Sequence, residues 1–190
     1  MKSVIKWAER YNACEDAISW LESLGASPSP KKAWYSCEDV DWLWWGIRTL
    51  NIPTKYRVAA TLVCVEGVSH LDPDIKTACK LVRRWLNRKI GKEDLRPTRD
   101  SLRDKLHQTL YGTKEYHIIR AGESLLNSVI SGYFYSKAIF DLCDCFKYYE
   151  FNSSIETQCC DRIRKVIPWT MVRDRYEKSC KRLKGNDYEF

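Results

Sequence analysis

The chain has 190 residues, of which 44% are apolar and 30% are charged, and it contains 8 Trp and 11 Tyr. This composition excludes a disordered or low-complexity chain and suits one globular domain. No apolar stretch of about 18 residues is free of charge, and Lys6, Glu9 and Arg10 interrupt the region where a signal peptide needs an apolar run. We therefore expect no secretion, no membrane partner and a cytoplasmic location.

Net charge constrains the kind of partner, and cysteine usage constrains the redox compartment. The net charge of +7 favours an acidic partner, but a pI near 8.9 falls short of the value above about 9 that is typical of nucleic-acid-binding domains. The 9 Cys are odd in number and fall mostly within amphipathic helical patterns. We therefore interpret them as reduced thiols packed in the interior of a cytosolic protein.

Helical periodicity dominates from end to end, and no segment alternates in the manner of a β-strand. We predict an all-α fold: one compact domain over residues 1–190, built from about eight or nine helices without a sheet, with 185–190 as a frayed tail. Ser, Asp, Pro and Gly mark the helix limits. The predicted helices cover residues 3–24, 31–37, 38–50, 53–71, 73–90, a segment from 92 that Pro97 interrupts, 100–111, 113–150 (two helices or one bent helix), 154–167 and 168–184.

Tryptophan is concentrated in one short stretch. Trp34, Trp42, Trp44 and Trp45 fall close together, and the helix over 38–50 is apolar almost all the way round, which predicts a position in the centre of the core. Trp42, Trp44 and Trp45 spread over more than half of the helix circumference, so they cannot all face one neighbour. We expect most of these rings to be buried and any exposed one to be a candidate anchor for a partner protein.

The spacing of the cysteines argues against a metal site. Cys143 and Cys145 lie two residues apart in a predicted helix and point about 200° from each other, while the adjacent Cys159 and Cys160 diverge by about 100°. Neither pair can chelate a metal unless its helix breaks. We therefore predict no metal ligands.

Catalytic chemistry has equally little support in the sequence. Every Gly is isolated, so no glycine-rich phosphate cradle forms, which argues against a nucleotide cofactor. No Ser or Cys lies in a recognisable nucleophile turn that would use His70, His107 or His117 as a general base. We predict no cofactor and no catalytic residue, hence a protein that is not an enzyme.

Basic residues form two stripes on predicted outer helix faces, and they are our candidate partner-binding residues. The first stripe, on the helix 73–90, consists of Lys76, Lys80, Arg83, Arg84 and Arg88. The second, on the last helix, consists of Arg175, Lys178, Lys181 and Arg182. Such stripes suit a phosphate backbone, but a charged outer face is also common on surface helices, and Arg is enriched in protein-binding hot spots. All three interpretations stay open.

Several short motifs follow one another along the chain. They are Asn12-Ala13-Cys14, Ala33-Trp34 to Cys37, Asp41-Trp42-Leu43-Trp44-Trp45, Arg84-Trp85-Leu86, and Gln158 to Ile167-Pro168-Trp169. This order resembles the Imm-5-like immunity proteins, a helical family common in bacteriophages. Between Glu115 and Glu150 the family has a tract rich in Ala and Tyr, whereas this chain carries bulkier residues. The resemblance implies an all-helical, phage-encoded neutralising or accessory protein, and it supplies no catalytic residues.

Three functional hypotheses follow. The first is a non-catalytic protein-binding inhibitor or immunity-like factor, phage-encoded and acting in the host cytoplasm on a host defence or metabolic protein. The alternative is a nucleic-acid-binding accessory protein that uses the basic face of the helix 73–90. The third, a metal-dependent enzyme or a zinc-stapled domain, predicts stoichiometric metal in the purified protein.

Overall fold

The computed structural model describes residues 3–132, 137–143 and 154–185. Within these ranges all regular structure is helical, with eleven α-helices, two short 3₁₀ helices and no strand. The all-α prediction is confirmed, whereas the predicted number of eight or nine helices is too low. The chain groups into two units: unit 1 comprises Met1–Ile52 and Ile167–Phe190, and unit 2 comprises Pro53–Val166. That the whole chain forms a single domain stays a prediction.

Unit 1 contains the first four helices and the last one. They are α1 (Val4–Arg10), α2 (Glu15–Ser23), α3 (Pro30–Ser36), α4 (Val40–Thr49) and α11 (Trp169–Gly185). The single helix predicted over residues 3–24 is wrong, because the chain leaves the helix after Arg10 and Asn12 takes a left-handed φ of 56°. Asn adopts this conformation more readily than most residues, and it divides the segment in two.

The helix α4 supplies much of the core of unit 1. Leu43, Trp44 and Ile47 are buried along it, as the apolar pattern predicted. The N–H of the buried Trp7 indole donates to Oγ of Ser179 at 3.0 Å, and that hydroxyl donates to Oη of Tyr11 at 2.8 Å. A polar chain inside the core therefore connects α1 with α11, and it satisfies the indole that burial would otherwise penalise.

Unit 2 contains the helices α5 (Thr54–Val65), α6 (Pro73–Leu86), α7 (Arg96–Gln108), α8 (Lys114–Ile130), α9 (137–143) and α10 (Ser154–Val166), with 3₁₀ helices over Glu66–Val68 and Glu93–Leu95. Pro97 does not interrupt a helix as predicted, since it lies in the first turn of α7, where its missing N–H has no partner to lose. The helix α6 ends at Leu86 rather than near residue 90, because Arg88 has a left-handed φ of 58°. Parts of the segment 113–150 and of the tail 185–190 lie outside the described residues.

The helix α8 packs closely against α6 and α7 in unit 2. A Cβ at Gly122 would overlap Cδ1 of Ile75 and lie 3.5 Å from Cδ1 of Leu102. Both of these side chains are fully buried. Only glycine therefore permits this approach of α8 to α6.

An ion-pair cluster fixes the start of α6. The carboxylate of Asp72 accepts hydrogen bonds from the amides of Asp74 (2.7 Å) and Ile75 (3.2 Å), and Nζ of Lys105 on α7 donates to Asp72 at 2.6 Å. Burial opposes ionisation of Asp72, but the Lys105 ammonium and the two amides outweigh it and hold the pKa of this carboxyl below its usual value. The cap and the cross-helix pair therefore both favour the ionised form.

Candidate functional site

A cavity of about 90 Å³ lies within unit 1 and is lined by indole rings together with aliphatic side chains. The helices α1 to α4 supply these rings: Trp7, Trp20, Trp34, Trp42 and Trp45. We call this cavity, defined by its five Trp, the tryptophan cleft. Trp7 and Trp34 are buried, whereas Trp20, Trp42 and Trp45 are half-buried. The cleft therefore presents aromatic surface that the fold does not fully cover.

Ring-to-ring contacts hold the cleft in shape. Trp7 and Trp45 meet nearly edge to face, with centroids 5.4 Å apart and planes at 66°, and Trp20 and Trp42 lie 5.5 Å apart with planes tilted by 41°. Such pairs contribute about 0.5–1.5 kcal/mol beyond their burial. The cleft is thus pre-organised by packing between helices.

Small residues leave the cleft open. A Cβ built at Gly46 on α4 would meet no atom within 4 Å, and Ala13, Ala17 and Ala33 also line the cavity. The described lining contains no carboxylate, imidazole or amine. This arrangement is suited to taking up apolar surface.

All five residues of the first basic stripe are exposed, and four of them lie within α6. Lys76, Lys80, Arg83 and Arg84 project from α6, while Arg88 is exposed beyond its end because of the left-handed turn. Arg83 forms an ion pair with Glu66, whereas Lys76, Lys80 and Arg84 make none with another described residue. Their role in binding a partner stays a prediction.

The second stripe lies on α11, which belongs to unit 1. Lys178, Lys181 and Arg182 are exposed, but Arg175 is half-buried. The opposite face of α11 is buried through Val172, Tyr176 and Cys180, as its apolar spacing predicted. Partner binding by this stripe likewise stays a prediction.

The described cysteines are free thiols, seven of them buried and one, Cys14, exposed. This agrees with their interpretation as core residues. Cys145 of the rejected metal pair lies outside the described residues. Among the residues that are described, no three Cys, His, Asp or Glu side chains are arranged to hold a metal ion. His70 and His107 are exposed, and His117 is half-buried beside the ring of Tyr116 at 5.6 Å.

Two features of these sites escaped the sequence reasoning. Trp20 and Gly46 belong to the tryptophan cleft, and Gly46 within a Trp-rich helix was the available signal, since an isolated helical Gly often has a packing or functional reason. Cys64 and Cys159 line a second cavity, in unit 2, together with Arg162. No spacing rule connects Cys64 with Cys159 and Arg162, because α5 and α10 lie far apart in the chain.

Searches against protein-family models, curated proteins and solved structures return no match for this chain. The likeness to Imm-5-like immunity proteins therefore rests on the sequence motifs alone. Among the described helices, none combines the length and the apolar character needed to cross a bilayer.

Proposed function

We propose that the protein is a non-catalytic binding factor whose tryptophan cleft receives an apolar side chain of a protein partner. The observation that carries this proposal is the presence of three half-buried indoles, Trp20, Trp42 and Trp45, around one open apolar cavity. Trp is the residue type most enriched in protein-binding hot spots, where a few anchors supply most of the affinity. Their partial exposure leaves aromatic area that only a partner would desolvate.

The size of the cleft supports a side chain rather than a cofactor. Pockets for drug-sized ligands usually enclose about 300–1,000 Å³, whereas this cavity measures about 90 Å³. That volume corresponds to roughly three water molecules at about 30 Å³ each, which is room for one aliphatic or aromatic group. Exposed Arg48, one helical turn from Trp45 on α4, adds a cation at the border of this surface.

The inhibitory role that the family likeness implies is compatible with this surface. A rigid aromatic cleft binds without large rearrangement, and such pre-organisation reduces the entropy lost on association. A neutralising protein of the Imm-5-like kind needs only to cover a functional surface of its target. We infer that the partner is a bacterial protein, either a defence protein or a metabolic enzyme.

The test fills the cleft without disturbing the fold. In Gly46→Leu the new side chain enters open space at a position that lines the cavity, and we expect it to occupy that cavity; the matched control Gly46→Ala adds one methyl at the same position. Proteins captured from bacterial lysate by the wild-type chain and by the Ala control, but not by the Leu variant, are purified and their Kd values measured. We expect binding to weaken by at least about tenfold in Gly46→Leu, which corresponds to about 1.4 kcal/mol. A partner that binds all three forms equally would contradict the proposal.

Nucleic-acid binding by α6 is the second candidate, and one observation favours it. Lys76, Lys80 and Arg84 follow one another at four-residue spacing on an exposed face and have no acidic partner among the described residues. If they contact phosphates, the slope of log K against log salt should fall by about three in the triple charge reversal to Glu. Lys55→Glu, at an exposed position of α5, is the control. Salt-independent binding, or none to duplex DNA and RNA, would count against this candidate.

A further inference from the structure

A second, polar cavity of about 250 Å³ lies within unit 2. Cys64 of α5 and Cys159 of α10 line it together with the half-buried Arg162, and the exposed His70 and Gln158 also contribute to its wall. Unlike the tryptophan cleft, this cavity has a guanidinium and an imidazole in its lining, beside two thiols. It is therefore the place in the described chain where chemistry, rather than packing, is to be expected.

Three thiols meet beside this cavity, and we call them the thiol cluster: Cys64, Cys143 and Cys159. They come from α5, α9 and α10, and each is at most 5% exposed. The Cys64 thiol donates to the backbone carbonyl of Cys159 at 3.8 Å, and Cys143 lies close enough to both of these cysteines to affect their pKa values. All three are unbridged.

The pKa values of the three thiols are shifted in different directions. Hydrogen bonds from Cys143 and Cys64, assisted by the nearby Arg162 guanidinium, outweigh burial and lower the pKa of Cys159. The same contacts and burial raise the pKa of Cys143 and of Cys64. One sulfur is thus favoured as a thiolate while its two neighbours keep their protons. Thiolates are the nucleophilic form of cysteine. We therefore expect the sulfur of Cys159 to attack first and the thiol of a neighbouring cysteine to react in a second step.

Arg162 is fixed next to the cluster by the backbone. Its Nη1 donates to the carbonyls of Val63 (3.2 Å) and Cys64 (3.4 Å), near the C-terminal end of α5. Gly67 permits this position, because a Cβ there would overlap Nη1 and lie 2.8 Å from the guanidinium carbon. These two hydrogen bonds therefore hold the guanidinium in the cavity wall.

We propose that the thiol cluster is a peroxide-reactive modification site in which Cys159 is oxidised first and Cys64 then closes a reversible disulfide. Hydrogen peroxide is the oxidant. The Cys159 thiolate attacks one peroxide oxygen and the O–O bond breaks; the departing hydroxide takes a proton to become water, leaving a sulfenic acid. The Cys64 thiol then displaces the sulfenic hydroxyl, which forms the S–S bond and releases a second water. Two thiols and one peroxide give one disulfide and two waters.

Cys64 is the expected second thiol for a geometric reason. It shares the cavity with Cys159, and its sulfur lies against the Cys159 backbone, whereas Cys143 is not part of the cavity wall. The cavity volume of about 250 Å³ admits a molecule as small as peroxide. This inference is independent of the proposed binding function, because it concerns unit 2 alone.

The experiment treats the reduced full-length protein with hydrogen peroxide and follows free thiols and intact mass. We expect the loss of two hydrogens, reversal by dithiothreitol, and a Cys64–Cys159 bridge in the peptide map. In Cys64→Ser the sulfenic acid at Cys159 should persist and be trapped by dimedone. In Cys159→Ser the rate of thiol oxidation should fall by at least about tenfold, since rate follows thiolate character. Circular dichroism verifies that each variant is folded.

Cys79→Ser is the matched control. Cys79 is another buried cysteine of unit 2, and burial together with the carboxylate of Glu66 raises its pKa to about 12. This variant should react as the wild-type protein does. No reaction of the wild-type protein, a bridge that excludes Cys159, or a bridge from Cys159 to Cys143 in place of Cys64 would overturn the proposal. The peptide map of the unmutated protein decides among these results even if a variant fails to fold.

Discussion

Replacing Gly67 by Ala should destabilise unit 2 through one displaced side chain. The added Cβ would overlap the Arg162 guanidinium, which must then leave the carbonyls of Val63 and Cys64. Hydrogen bonds from a charged donor contribute about 1.5–3 kcal/mol, and a cation at a helix C-terminus adds about 0.3–1 kcal/mol. Arg162 is half-buried, so solvent replaces part of this loss. We expect a net destabilisation of about 2 kcal/mol.

Urea unfolding followed by far-ultraviolet circular dichroism measures this loss. The midpoint should fall with an unchanged slope, and Tm should drop by about 4–8 °C for a chain of this size. The control is Gly91→Ala, since a Cβ at Gly91 would lie at an ordinary 3.7 Å from Asp94 and should change stability by less than about 0.5 kcal/mol. If Gly67→Ala has the same effect in an Arg162→Ala background as in the wild-type chain, the clash is not its cause and the reasoning is refuted.

Two further changes in unit 2 test its packing and its electrostatics. Gly122→Ala should destabilise the protein by about 1–2 kcal/mol, because overpacking against Ile75 exceeds the gain in helix propensity; a more stable variant in thermal unfolding would contradict the close approach of α8. Asp72→Asn should cost about 1 kcal/mol at neutral pH through loss of the Lys105 pair. Since the Asp72 pKa is depressed, its contribution is present above the unfolded value of 3.8 and is lost as pH falls through the folded value. The two stabilities, measured from pH 7 downwards, should therefore converge in acid.

Helix positions were readable from the sequence wherever a cap stands before an apolar pattern. Ser29 caps α3 through a hydrogen bond to the amide of Lys32, as its position before a helical pattern indicated. Asp39, which we predicted to lie within the helix 38–50, instead caps α4 through the amide of Trp42. Helix breaks at residues other than Gly or Pro were not predicted from the sequence. Asn12 and Arg88 adopt left-handed φ values of 56° and 58°, and no local rule requires them to do so.

The two cavities were predictable to different degrees. Concentration of Trp on one helix indicated an aromatic core with a candidate anchor, and the structure places two half-buried rings, Trp42 and Trp45, on that helix. The thiol cluster was not predictable. Cys64 and Cys159 lie 95 positions apart, and helical periodicity identified each only as an apolar filler. Convergence of such residues depends on how helices pack, which spacing within a helix does not encode.

The indole–hydroxyl bond between Trp7 and Ser179 has a consequence for the order of folding. Its two partners stand 172 positions apart, with all of unit 2 inserted between the two pieces of unit 1. Unit 2 is one continuous stretch and can form as soon as it leaves the ribosome, whereas the core of unit 1 must wait for the final helix. If unit 2 folds first, the flexible loop between Trp7 and Ser179 becomes shorter, which lowers the entropy cost of forming their hydrogen bond. Synthesis from the N-terminus thus leaves the tryptophan-rich helices without this partner until α11 has been made.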